Sequence, residues 1–345
     1  MVEASGLFFQ TDEGAHMSEK ETIREIREGD VSSVLSLTSE VFSGQEYFAA
    51  KRSREFWNWK YERNVFGIPI QIVATAGDEL IGFRSFWPWE LVCRGQQVKA
   101  YQPVDTVVHP DYQGRGLFTK MTIKAVRKAI DESADLLFNF PNQNSLPGNL
   151  KLGWKYIGRL PWLIKPLRPF HLLTNLRIRE RASPVEIDNK YTITDELLHR
   201  MVERDSFDSL LRTRQSPGFF EWRYKLNPFL KYGAFQMTKG SKRLSAVFEV
   251  NQKGPRREMI IVDILGSSDL TKELFKALID IARSMNVDFI TTIMTSGYSM
   301  SSLKSLGFLR MKRKNLVALP LNLALEGIAT RMENWRIVGG MHDSL

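Results

Sequence analysis

The residues with the strongest claim to chemistry lie in one run, Val104-Asp105-Thr106-Val107-Val108-His109-Pro110-Asp111-Tyr112-Gln113-Gly114-Arg115-Gly116-Leu117-Phe118. Its apolar β-branched residues predict a strand to Val108, its His-Pro pair a turn, and its two glycines the opening of a helix. Such a turn presents N–H groups that no helix carbonyl can reach, at the positive end of the helix dipole. That arrangement suits a pyrophosphate, and glycine lets the phosphate oxygens come close to the backbone. Two other phosphate motifs are excluded. A dinucleotide fingerprint needs glycine where Thr119 stands, and a P-loop needs Lys-Ser/Thr after its last glycine. Asp105 is the candidate general base, a carboxylate on the strand that leads into the turn. Strand alternation puts it on one face with Val107. Glu90 and Asp111 are the other carboxylates to weigh, and His109 reads as a turn residue.

The flanking elements must position this turn. Thr22 to Arg27 reads as a strand, and Asp30 as the N-cap of a helix to about Phe42. A Trp-rich helix spans Ser53 to Arg63. Ile70 to Ala76 and Glu79 to about Val92 read as strands around Gly77-Asp78, and Arg94-Gly95 turns the chain into Gln97 to Val108. A helix from about Gly116 to Ser133 presents Leu117, Met121, Ala125, Ala129 and Ile130 near one face. Leu136 to Phe140 is a strand, a short helix follows near Leu150, and Trp154 to Leu160 closes the sheet. Strands alternating with helices give an α/β class.

The chain also repeats itself. Phe56-Trp57-Asn58-Trp59-Lys60-Tyr61-Glu62-Arg63-Asn64-Val65-Phe66 returns 163 residues later as Phe219-Phe220-Glu221-Trp222-Arg223-Tyr224-Lys225-Leu226-Asn227-Pro228-Phe229. Val104-Asp105 pairs with Val262-Asp263, and Leu152-Gly153-Trp154 with Leu306-Gly307-Phe308, in the same order. Phe56 and Trp59 share a helical face, so the repeated helix is read as a packing element, with Asn64 and Asn227 ending it in a left-handed conformation. The expected division is 1–17 as an expression-tag remnant (Gly14-Ala15-His16-Met17 resembles a cloning scar) or disordered, and 18–165 as a first domain with the phosphate turn. An arm or linker at 166–190, a second, degenerate domain at 191–318 and a tail at 319–345 complete it. The proline-rich linker character already begins at Pro161. Ala318 to Arg331 reads as a terminal helix. In the second copy Gly266-Ser267-Ser268-Asp269 has lost the paired glycines, and Asp269 reads as an N-cap with Glu273 nearby.

Composition narrows the class. Hydrophobic residues are 43% and charged residues 25%, a globular balance. No apolar run is long enough to span a membrane, and the first residues lack a secretory pattern, so a cytoplasmic location is expected. One cysteine, Cys93, excludes an internal disulfide and a thiolate zinc cluster, and no metal site is expected. The formal net charge of +9 would suit an anionic ligand, and no RNA-binding aromatic motif or zinc finger argues for nucleic acid.

Val-Val-His-Pro-Asp-Tyr-Gln-Gly-Arg-Gly-Leu closely resembles the acetyl-CoA signature of GNAT acyltransferases, and the order of elements over residues 20–160 is similar too. The resemblance implies two tandem GNAT-like domains, each a mixed, mostly antiparallel twisted sheet flanked by helices. It implies acetyl-CoA or another acyl-CoA as co-substrate, its pyrophosphate on the backbone of Gln113, Gly114, Arg115, Gly116, Leu117 and Phe118. Its pantetheine would lie along Val107 and Val108, with contacts from Asn142 and Asn144 after the splayed strand. Phe118 stands where the family places a small residue. The implied reaction is direct attack of an amine on the thioester in a ternary complex, with Asp105 as base. The family's thiolate-protonating Tyr is missing from the short helix, with Tyr156 just beyond it. The expected acceptor is a primary amine of a small molecule, an amino sugar if Trp57, Trp87, Trp89 and Tyr101 stack on it. A monomer or homodimer is expected. The alternatives are a Fem-like aminoacyl transferase using tRNA, and a non-catalytic acyl-CoA-binding or scaffold module.

Overall fold

The computed structural model describes residues 21–43, 53–174, 182–202 and 209–342. The expected tag remnant at 1–17 and the middle of the expected arm lie outside the described residues, as do the last three residues.

In the first half, β1 (Glu21–Glu25) leads through a 3-10 turn to α1 (Val31–Val41), then α2 (Arg54–Trp57) continues as a π-helical turn over Asn58–Glu62. Asp30 does not cap α1; its carboxylate takes Arg24 Nη1 at 2.6 Å and the Arg27 N–H at 2.6 Å, which closes the preceding turn instead. Asn64 is not left-handed either. Its Oδ1 accepts the Phe66 N–H at 2.8 Å, an Asx turn that ends the helix by side-chain bonding. The strands β2 (Ile70–Ala76), β3 (Glu79–Cys93) and β4 (Gln96–Val108) form an antiparallel meander, and α3 (Leu117–Asp131) packs on it. Leu117, Met121, Ala125 and Ala129 are buried there as their spacing predicts, whereas Ile130 is exposed, one position off the apolar stripe. Then come β5 (Leu136–Asn139), α4 (Leu146–Lys151) and β6 (Lys155–Pro166). β6 runs straight through Pro161, where linker character was expected.

The second half repeats this order. After α5 (Pro169–Thr174) and β7 (Ala182–Pro184) come α6 (Asp195–Val202), β8 (Arg212–Thr213) and α7 (Pro217–Phe220), the last again followed by a π-helical turn at Glu221–Lys225. The strands β9 (Tyr232–Lys239), β10 (Lys242–Lys253) and β11 (Arg256–Gly266) form its meander. They are followed by α8 (Thr271–Ser284), β12 (Phe289–Ile293), α9 (Met300–Ser305) and β13 (Leu309–Pro320). The terminal helix expected over 318–331 is strand to Pro320 and then short turns around α10 (Glu326–Ala329).

One mostly antiparallel sheet of 13 strands runs through both halves, with helices on its faces. Its middle order, β4-β5-β13-β6-β12-β11, shows that the halves exchange their last strands. β5 pairs with β13 of the second half, and β12 pairs with β6 of the first. The repeated helices meet at the same place with pseudo-two-fold symmetry. Trp59 Nε1 donates to the Trp222 carbonyl at 2.7 Å and Trp222 Nε1 to the Trp59 carbonyl at 2.8 Å, with the rings stacked 5.7 Å apart. Phe56 lies 5.7 Å from Phe229, and their repeat counterparts Phe219 and Phe66 lie 5.5 Å apart. Residue i meets j and j meets i, the signature of a two-fold contact, here within one chain. The aromatic repeat is therefore the glue of the junction.

Candidate active site

The phosphate-type turn is built as its residues dictate. A 3-10 turn at Pro110–Tyr112 follows β4, and Gly114 and Gly116 sit at φ +79° and +75°, a region closed to most side chains. A Cβ at Gly116 would meet nothing within 4 Å, so glycine is required there by backbone conformation and not by crowding. The first bond of α3 runs from the Lys120 N–H to the Gly116 carbonyl at 3.0 Å, which leaves the N–H groups of Leu117, Phe118 and Thr119 with no helix carbonyl to reach. Val108, Tyr112, Gln113, Gly114, Gly116, Leu117 and Phe118 line one cleft of about 450 Å³. The Arg115 side chain turns back instead, donating to the Asp111 carbonyl at 3.0 Å with its guanidinium 4.7 Å from the Tyr112 ring. Phe118 is accommodated by a small residue elsewhere: a Cβ at Gly148 of α4 would come within 3.1 Å of its ring.

Beside this turn the sheet opens. β4 and β5 are paired in parallel only at Ala100–Leu136 and Tyr101–Leu137, and past that point β4 has no partner on this side among the described residues. Val107 and Val108 lie on the open stretch. Asn142 is committed to the turn after β5: its Oδ1 accepts the N–H groups of Asn144 and Ser145, both at 2.9 Å. Asn144 is exposed. Arg84 of β3 was not singled out from sequence. It is buried, donates to the Val104 carbonyl at 3.2 Å and to the Thr106 hydroxyl, and lies 5.1 Å from the Phe118 ring. Burial pulls its guanidinium down to about 10, so it stays cationic at neutral pH beneath the turn.

Asp105 sits at a β-bulge: Val104 faces Ser85 and Thr106 faces Arg84, with Asp105 between them unpaired. The bulge breaks the alternation, so Val104 and Val107, three apart, both point into the same core. The Asp105 carboxylate takes Lys60 Nζ at 2.6 Å and the Tyr61 hydroxyl. The second half repeats the contact, with Tyr224 OH 2.9 Å from a fully buried Asp263. His109 Nδ1 accepts the Asp111 N–H, so Nε2 carries the proton of a neutral ring and donates to Glu40 at 3.1 Å. Glu90 pairs with Arg214 at 2.6 Å. Trp57, Trp87, Trp89 and Tyr101 are all core residues, which removes them as a stacking platform for a sugar. A second cavity, of about 830 Å³, lies where β1 ends and β2 begins and is bordered by Tyr61, Gln71, the acids Glu25, Glu28, Glu62 and Glu132 and the bases Arg27, Arg54 and Lys128, with Arg54 paired to Glu62 and Lys128 to Glu25.

The matching opening of the second half is filled by the chain itself. β11 and β12 are paired from Glu258–Phe289 to Ile261–Thr292 and then part. Residues 335–342 run into the gap. The Thr295 N–H donates to the Ile337 carbonyl at 3.3 Å, the Ile337 N–H to Thr295 Oγ1 at 2.7 Å, and Arg336 Nη2 to Tyr298 OH at 2.5 Å. Gly340 packs so closely that a Cβ there would lie 1.9 Å from the Tyr224 hydroxyl oxygen. Asp269 is not an N-cap: it sits inside a 3-10 turn, paired with Lys242. No sequence pattern announces this tail as a core element, because only the fold reveals the groove that receives it. Among the described residues no His/Cys/Asp/Glu group could hold a metal ion, and no helix is long and apolar enough to cross a membrane.

Comparison with known proteins agrees with this geometry. A family model described as an acetyltransferase (GNAT) domain matches residues 22–157. A GCN5-related N-acetyltransferase from Anabaena variabilis is similar in fold, with a TM-score of 0.59 at 14% identity over 90% of this chain and 75% of that one. A protein from Enterococcus faecalis described as a probable N-acyltransferase gives 0.55 at 10% identity, covering 88% and 73%. The N-myristoyltransferase of Saccharomyces cerevisiae, with bound myristoyl-CoA, gives 0.53 at 13%, covering 90% and 81%. No curated protein sequence matches.

Proposed function

We propose, from the premise that residues 22–157 are a GNAT acetyltransferase domain, that the protein is an acyl-CoA-dependent N-acyltransferase with one cofactor site, in the first half. The observation that carries this reading is the turn at Gln113–Phe118, where the N–H groups of Leu117 and Phe118 have no helix carbonyl to reach and a cleft opens at the end of the stretch of β4 that is unpaired on its β5 side. We place the acyl-CoA pyrophosphate on the backbone of Gln113 to Phe118 and the pantetheine along Val107 and Val108, where an open strand edge offers amide partners. Asn144 is the polar side chain left to approach the cofactor, since Asn142 holds its own turn. An amine would then attack the thioester within the ternary complex. A small-molecule primary amine remains the proposed acceptor class; the cavity beside Tyr61, which its carboxylates share with Arg27, Arg54 and Lys128, is one place for it. Acetyl-CoA is the first donor to test.

The division into a cofactor-binding first unit, 18–165, and a degenerate second unit, 191–318, is proposed on the same footing, with the tail sealing the second groove. Calorimetric titration with acetyl-CoA is expected to give one site per chain. A stoichiometry of two would show that the tail does not block the second groove.

Asp105 is held by Lys60 and Tyr61, and the same Tyr–Asp contact recurs where the groove is filled. We therefore give it a positioning role at the bulge. Asp105→Asn keeps an acceptor for both donors, so kcat with a turned-over amine is expected to fall less than about tenfold, against the 100-fold or more typical of losing a general base. A loss of that larger size would return Asp105 to the role of base.

A further inference from the structure

A cation is buried behind the cleft wall at a place where the protein itself gives it few partners. Gly82, Arg84 and Phe86 of β3 alternate onto the face that carries α3. A Cβ at Gly82 would lie 3.1 Å from the Met121 side chain of that helix, and Phe86 shares a buried cluster with Leu117 and Met121. Arg84, between them, is 4% exposed. Its guanidinium lies 5.4 Å from the Phe86 ring and 5.1 Å from that of Phe118. Phe118 belongs to the glycine turn and lines its cleft, so the cation rests against the back of a cleft wall. The hydrogen bonds of Arg84 to the Val104 carbonyl, at 3.2 Å, and to the Thr106 hydroxyl both come from one nitrogen, Nη1, and bracket the bulge at Asp105. Its Nε is buried and has no partner among the described residues. Asp105 attracts it, but that carboxylate is already paired with Lys60. Burying a guanidinium so incompletely bonded is costly unless a counter-charge arrives. An anion in the adjoining cleft would supply one, and the low-polarity surroundings carry the attraction further than water would.

We propose that Arg84 is a positioning residue of the cofactor site, whose fixed positive charge acts from behind Phe118 on the pyrophosphate at the turn; this rests on the N-acyltransferase reading. Arg84 does not touch the ligand. The direct contacts belong to the backbone N–H groups at the start of α3. Arg84 adds a charge that is in place before the ligand arrives, so no side chain has to be ordered on binding. Its two bonds across the bulge also tie the open stretch of β4 to the wall that Phe118 makes. Phe118, large where the resemblance calls for a small residue, supplies the ring against which the guanidinium rests.

Calorimetry on wild type, Arg84→Gln and Arg84→Lys tests this without knowledge of the acceptor. Two ligands are used, acetyl-CoA and 3′-phosphoadenosine 5′-diphosphate, which keeps the pyrophosphate and lacks the pantetheine. Arg84→Gln is expected to weaken both by the same factor, about tenfold or more, because the lost charge acts on the part they share. Arg84→Lys is expected to bind both within about threefold of wild type, since an ammonium keeps the charge and one nitrogen made both bonds. A merely structural arginine would give neither the equal loss on both ligands nor the rescue by charge. Circular dichroism reports that each variant folds. Loss confined to acetyl-CoA in Arg84→Gln, or no loss on either ligand, overturns the assignment and leaves the transferase reading intact. A folded Arg84→Lys that binds either ligand about tenfold or more weakly overturns it too, and decides the matter even where the neutral variant does not fold. Failure of wild type to bind acetyl-CoA or longer acyl-CoAs removes that reading, and the assignment with it.

Discussion

Gly116→Glu is expected to abolish acyl-CoA binding in a protein that remains folded. The added side chain meets no atom within 4 Å, so it has room to stand in the cleft and does not have to displace the core. Its backbone must hold φ +75°, a strain of about 1–2 kcal/mol for a residue with a Cβ. The larger effect is electrostatic. A carboxylate about 4 Å from one phosphate charge, at an effective dielectric of about 20, is repelled by about 4 kcal/mol, on the order of 1000-fold in Kd. Gly116→Ala carries the strain without the charge and separates the two terms. Calorimetry on both variants beside wild type reads the difference. If Gly116→Glu binds within tenfold of Gly116→Ala, the pyrophosphate does not lie at this turn.

The second large effect is expected at the two-fold junction. Trp59 and Trp222 are buried, stacked on each other, and each donates to the other's carbonyl. Trp59→Ala is expected to cost about 3–5 kcal/mol, the range for removing a large aromatic from a core, because Phe56, Trp87 and Phe66 pack around the same point. Trp222→Ala should cost a similar amount, since the contact is reciprocal. Trp59→Phe retains most of the bulk but leaves the Trp222 carbonyl without its donor, a penalty of about 1–3 kcal/mol. Urea denaturation monitored by circular dichroism measures all three. Both halves share one sheet through the exchanged strands, so the unfolding is expected to be a single transition for each variant. Two separated transitions, or a cost below about 1 kcal/mol for both alanine variants, would show that the halves are held together by something else.

Much of the first half was fixed by local sequence. The Gly77-Asp78 and Arg94-Gly95 turns, the strands on either side and the apolar stripe of α3 follow from alternation, turn chemistry and helical spacing, which act over a few residues. The glycine turn was legible for the same reason: glycines at 114 and 116 answer a demand of the backbone itself. The repeat was legible as well, because rare aromatics in one register do not need a fold to be noticed. What those aromatics touch was decided by tertiary structure. That Trp59 would meet Trp222, and that β6 and β13 would cross between the halves, depends on pairing across more than a hundred residues, which no local pattern encodes. The bulge at Asp105 was not legible: the extra residue puts Val104 and Val107, three apart, in one core, while Asp105 still turns to the side of Val107, where Tyr61 lies. The tail is the clearest case. Trp335, Ile337, Val338 and Met341 are apolar enough to be buried, yet their spacing suits neither a helix nor a strand. They become core only because β11 and β12 part and leave backbone groups that the tail can satisfy.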